Sequence, residues 1–175
     1  MLAVIITLLV LHSMEVEAKW KTLYCSAPND EFGEILLCKL KIIDRYRNSV
    51  NINYRVKKEI SQVTARLEFF KRGNGWRPFL YNISTDGCSF LNNRNNLIIN
   101  IFYSYVKPYL AQNLTCPIKA NEVLKLENFE FDINQFRNRF PIETGEYAVH
   151  TSLYSRKKLL VLMKTTLEYS NYREN

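Results

Sequence analysis

Alternating apolar and polar positions dominate this chain. In residues 49–57, Val50, Ile52, Tyr54 and Val56 alternate with Asn51, Asn53, Arg55 and Lys57. That two-residue period puts one face of a strand in a core and the other in water. Val63, Ala65, Leu67 and Phe69 repeat the pattern against Thr64, Arg66, Glu68 and Phe70, which no helical stripe can do. Further strands are predicted at 19–24, 34–43, 76–82, 147–155 and 159–169. Turn chemistry separates them at Arg47-Asn48, Gly73-Asn74-Gly75, Asp86-Gly87 and Gly145.

A longer period takes over at 95–112. There Ile98, Ile101, Phe102, Tyr105, Val106, Tyr109 and Leu110 recur at spacings of three and four, one face of an amphipathic helix. Pro108 must end or kink that helix, because it has no N–H to donate and its ring crowds the preceding turn. Residues 121–141 alternate only in part and are expected as a strand followed by an irregular apolar loop. Its phenylalanines, Phe129, Phe131, Phe136 and Phe140, are assigned to the core rather than to a pocket mouth. Together these elements predict a mainly β fold, an antiparallel sandwich or cup with one amphipathic helix between Cys88 and Cys116.

The first residues stand apart. Residues 1–11 are apolar except for Thr7, and Val16 and Ala18 suit the cleavage positions of a leader. Residues 1–18 are therefore expected to be a signal peptide and 19–175 a single domain. The run is shorter than the roughly 20 apolar residues that span a bilayer. With no Lys or Arg ahead of it, an uncleaved anchor is the alternative. Cleavage would leave 157 of the 175 residues, raise the net charge from +7 to +9, and leave His150 as the sole histidine.

Export changes the reading of the cysteines. Cys25, Cys38, Cys88 and Cys116 are even in number, so two disulfides are expected. Of the three connectivities, proximity in sequence favours Cys25–Cys38 with Cys88–Cys116. A zinc site is disfavoured, since no CxxC spacing exists and no histidine is near a cysteine. Two sequons, Asn82-Ile83-Ser84 and Asn113-Leu114-Thr115, offer Asn82 and Asn113 for glycosylation on surface loops.

Composition excludes several classes. A chain 47% hydrophobic and 13% aromatic is too apolar to remain disordered, and no internal repeat is present. Catalysis has little to work with: any Ser-His-Asp or Cys-His arrangement would depend on His150, which falls inside an alternating strand. Asp86, Glu127 and Asp132 are scattered carboxylates that nothing in the sequence pairs for glycoside hydrolysis. No enzyme, metal or cofactor is expected. Basic groups cluster at Arg45/Arg47, Lys57/Lys58, Lys71/Arg72, Arg137/Arg139 and Arg156/Lys157/Lys158. Turn positions make these solvated charges first; the partners they would suit are an anionic membrane surface, an acidic glycan or a receptor, not nucleic acid.

The order of several short motifs adds a family resemblance. Cys25, the run Leu37-Cys38-Lys39-Leu40-Lys41 with Arg45, Trp76-Arg77-Pro78-Phe79-Leu80-Tyr81-Asn82, Thr85-Asp86-Gly87-Cys88-Ser89-Phe90-Leu91, Cys116-Pro117 and Gly145-Glu146-Tyr147 occur in sequence. In that order they resemble the insect secreted "domain of unknown function 1091" family. The chain departs from the family pattern at 112–115 and is longer and more polar at 127–140. The resemblance implies a β-cup like that of the ganglioside activator and related lipid-recognition proteins, holding a greasy cavity instead of a filled core. It also implies a chemosensory or reproductive secretion. On that reading Leu67, Phe69, Ile98, Phe102, Tyr105, Tyr109 and Leu153 are the candidate pocket residues. The expected function is secreted, non-enzymatic binding of a lipid or other apolar small molecule. The alternative is a secreted interaction protein with a closed core that binds a protein receptor.

Overall fold

The computed structural model describes residues 16–45 and 47–171. Of the expected leader, residues 1–15 lie outside the described residues, and 16–18 open the first strand. In chain order the elements are β1 (Val16–Ser26), β2 (Gly33–Ile42), β3 (Asn48–Val56), β4 (Thr64–Gly73), β5 (Gly75–Asp86), α1 (Gly87–Asn93), α2 (Leu97–Val106), a 3-10 turn (Lys107–Tyr109), β6 (Val123–Phe129), α3 (Ile133–Arg137), β7 (Gly145–Ser155) and β8 (Lys158–Asn171). The strands form two antiparallel sheets, a five-stranded one in the order β1-β8-β7-β4-β5 and a three-stranded one in the order β2-β3-β6. Mainly β, antiparallel and layered is what the alternation predicted.

Along one side the two sheets are tied directly, β1 to β2 and β3. Cys25 of β1 and Cys38 of β2, both on edge strands, form a disulfide. Nearby, Asn48 at the start of β3 accepts from the Trp20 backbone N–H at 3.0 Å and donates to the Trp20 carbonyl at 2.7 Å. Both groups of this buried amide are thus satisfied across the sandwich, which favours one sheet-to-sheet register. Asn51, assigned to water by alternation, is also buried. It is satisfied internally: its Oδ1 accepts from the Asn128 backbone N–H at 2.9 Å, where the ladder between β3 and β6 shifts register.

On the opposite side β5 and β6 are the outer strands, and the helical segment crosses the gap between them. Helix α1 follows β5 directly, with Asp86 capping it by accepting from the Ser89 N–H. Leu110, after the 3-10 turn, bridges to Leu126 of β6. Cys88 in α1 is bonded to Cys116, so this excursion is fastened at both ends.

Three local expectations are corrected here. The single helix at 95–112 is shorter, running from Leu97 to Val106. Asn96 caps it by accepting from the Ile99 N–H, and Pro108 forces the following residues into a 3-10 turn. Asp86-Gly87 is a helix start and not merely a turn. The irregular loop after β6 contains α3, whose cap Asp132 accepts from Asn134 N and Gln135 N.

Candidate functional site

The inner faces of the sheets do not meet as one continuous core. One buried cluster gathers Trp20, Val50, Ile52, Phe129, Ile133, Tyr147, Leu167 and Tyr169. A second gathers Phe32, Tyr54, Val56, Ile60, Ile118, Leu160 and Val161. Leu67, Phe69, Thr151 and Met163 also line the interior, yet they are only half-buried. They face space: a cavity of about 440 Å³ lies between the sheets.

Alternation along each strand builds its walls. Ala65, Leu67 and Phe69 of β4 point in, while Arg66 and Glu68 point out and pair at 2.8 Å. On β7 the inward set is Tyr147, Val149, Thr151 and Leu153; on β8 it is Val161, Met163, Thr165 and Leu167. From the smaller sheet come Ile52 and Tyr54 of β3 and Leu124 and Leu126 of β6. Polar groups on this lining are few. Thr85, Thr151, Thr165 and Lys125 are the exceptions among mainly aliphatic and aromatic residues. Such a surface favours an apolar occupant over water.

An aromatic lattice fastens the helices over this hollow. Phe102 of α2 stacks on Phe69 of β4, ring centroids 4.6 Å apart, and on Phe140 at 5.3 Å. Phe136 of α3 lies 5.8 Å from Phe102 and 4.5 Å from Phe140. Tyr81 of β5 meets both Phe102 and Phe140 edge-on. Of the four phenylalanines assigned to the core, Phe129, Phe136 and Phe140 are buried and Phe131 is half-buried; Phe129, Phe131 and Phe136 also border the cavity.

Five of the seven candidate pocket residues come together on the lining: Leu67, Phe69, Phe102, Tyr105 and Leu153. Ile98 and Tyr109 are not on it, which corrects their assignment. In α2 the buried cavity-facing residue is Ile99, not Ile98. From 97 to 103 every position but Asn100 is apolar, so spacing alone cannot choose the inward face. Tyr109 belongs to the 3-10 turn after Pro108, and its ring packs edge-on against Phe129 at 5.2 Å. The contribution of β8 was missed because its continuous apolar run reads as a strand without saying which residues face a hollow.

The remaining candidates have surface or structural placements. Asn113 is exposed in a loop, but Asn82 is exposed within edge strand β5 and not on a loop. Its Oδ1 accepts from Arg66 Nε at 3.1 Å. His150 packs its ring 4.7 Å from Phe70, between Glu68 and Lys164 in the ladder. Burial lowers its pKa, with Lys164 adding to the effect and Glu68 opposing it. Asp86 and Asp132 are spent as helix caps. Several basic residues form surface ion pairs: Lys57 with Glu34, Lys58 and Lys158 with Glu31, and Lys71 with Glu143. Lys71 holds the Glu143 carboxyl below its ordinary range, and Glu143 raises the Lys71 ammonium in turn. Such exposed pairs contribute little to stability.

A crystal structure of a Niemann-Pick type C2 protein from Japanese carpenter ant is similar to this chain at 13% identity. The match covers 89% of this chain and 93% of that one, with a TM-score of 0.36; at that level it fixes neither ligand nor site. No curated protein matches the chain. Residues 65–149, from the second residue of β4 to the middle of β7, match the family described as "Protein of unknown function (DUF1091)", so the resemblance carried by the motifs at 76–82 and 85–91 and by Cys116-Pro117 holds over that stretch.

Proposed function

We propose that this protein is a secreted, non-enzymatic carrier of a lipid or other apolar small molecule. The observation that carries the reading is the hollow itself: about 440 Å³ of apolar-lined space between two packed clusters. Ligand pockets commonly occupy about 300–1,000 Å³. An apolar cavity of about 150 Å³ takes a six-carbon ring, so this one scales to on the order of 18 carbons.

The energetics support such a cargo. Burying about 16 methylenes at roughly 0.8 kcal/mol each gives about 13 kcal/mol gross. Association and ordering oppose this by about 4 kcal/mol or more, which leaves at most about 9 kcal/mol, a Kd on the order of a micromolar or a little below. Two disulfides and two exposed sequon asparagines support export. A chemosensory or reproductive role is the setting the family resemblance favours.

The test is native and denaturing mass spectrometry of the protein secreted from insect cells and purified without detergent. A stoichiometric apolar species released on denaturation is the expected result. A protein that is empty, and that also takes up no fatty acid, sterol or glycolipid, overturns the reading. The same spectra count glycans on Asn82 and Asn113 and locate the N-terminus relative to Ala18.

A further inference from the structure

The edge of the larger sheet carries an irregularity that the cavity alone does not explain. Along the hairpin of β4 and β5, Glu68 pairs with Asn82, but the next pair is Phe70 with Pro78. Only Phe69 lies between the paired residues of β4, whereas Phe79, Leu80 and Tyr81 lie between those of β5. Two extra residues therefore bulge from the outermost strand. Pro78 brings no N–H to the ladder at its lower margin, and Leu80 is held at φ 57°, a left-handed conformation that costs a leucine energy.

Outside this bulge is a recess of about 250 Å³, bordered by Glu68 and Asn82 on its polar rim. Phe69, Phe70, Phe79 and Leu80 line the recess on one side and the main cavity on the other. Those four side chains are thus the partition between ligand space and solvent at this edge. Leu80 is the most exposed of them, at 41%. Bulges on edge strands also serve to block edge-to-edge pairing, but that role requires no recess sharing its walls with an internal hollow.

We propose that the Phe79–Tyr81 bulge is a side port through which an apolar ligand enters and leaves the cavity, with Leu80 as its plug. The proposal rests on the carrier reading. Its polar rim suits this use: Glu68, Asn82 and Arg66 hold one another at the lip by hydrogen bonds, leaving Leu80 as the group that must move. Glycosylation of Asn82 would set a carbohydrate beside the opening.

Stopped-flow binding of cis-parinaric acid, a fluorescent 18-carbon fatty acid, tests the port in wild type, Leu80→Gly and Leu80→Trp. Glycine removes the plug and is at ease at positive φ. A closed state that opens about a tenth of the time or less limits both rates, so its removal should speed association and dissociation together by about tenfold or more. Leu80→Trp should slow both. A change confined to the dissociation rate overturns the port and makes Leu80 a lining residue only. Unchanged rates in both variants overturn it too, while the carrier reading stands on the wild-type signal. Failure of wild type to bind the probe overturns the carrier reading and the port with it.

Discussion

Replacing Phe102 by alanine probes how the helical segment is held over the hollow. A fully buried Phe→Ala change costs about 3–5 kcal/mol. Phe102 is half-buried and borders the cavity, so the transfer part is about half of that, near 2 kcal/mol. Its ring also meets Phe69, Tyr81, Phe136 and Phe140 at centroid distances of 4.6, 6.5, 5.8 and 5.3 Å. Aromatic pairs contribute about 0.5–1.5 kcal/mol beyond area, and the two stacked ones should dominate. The expected total is about 3 kcal/mol, or about 6–12 °C in Tm for a chain of this size. Guanidinium unfolding measures it, with Phe140→Ala and the double variant completing a cycle whose coupling should be near 1 kcal/mol. A loss under about 1 kcal/mol with no coupling would refute the view that this lattice anchors α2.

Three further outcomes follow from the geometry. Gly33 is buried at the start of β2, where a Cβ would strike the Tyr54 ring and the Arg55 carbonyl; Gly33→Ala should cost about 1–3 kcal/mol by overpacking, and an unchanged melting curve would contradict that contact. Replacing Cys25 and Cys38 together by serine reopens a short loop, with an expected loss of about 3 kcal/mol read from chemical denaturation of the oxidised wild type and the variant. His150 has a folded pKa below its ordinary 6.5, so the unfolded chain takes up the proton first as pH falls. The stability tied to its neutral form is therefore complete above about pH 6.5 and is lost as pH drops through the folded pKa. Melting temperatures should diverge between wild type and His150→Gln below about pH 6.5, and parallel curves would remove His150 as the cause.

The amino-acid sequence alone specifies the strands, because a two-residue period leaves no other way to bury Val50, Ile52, Tyr54 and Val56 on one side. It also favoured the cysteine pairing that the structure holds, and the ordered motifs from Trp76 to Pro117 already carried the family resemblance. Local chemistry carried less at 97–106, where nearly every residue is apolar and the inward face passed from Ile98 to Ile99. Nor could it place Asn51 inside, since its partner is a backbone N–H 77 residues away. Whether the interior is filled was decided only by tertiary structure. An inward leucine looks the same in sequence whether another side chain or empty space lies opposite; the distance between two sheets joined along one edge and propped by helices at the other makes the difference. The bulge at Leu80 belongs to that same level, because a register mismatch exists only once two strands are paired.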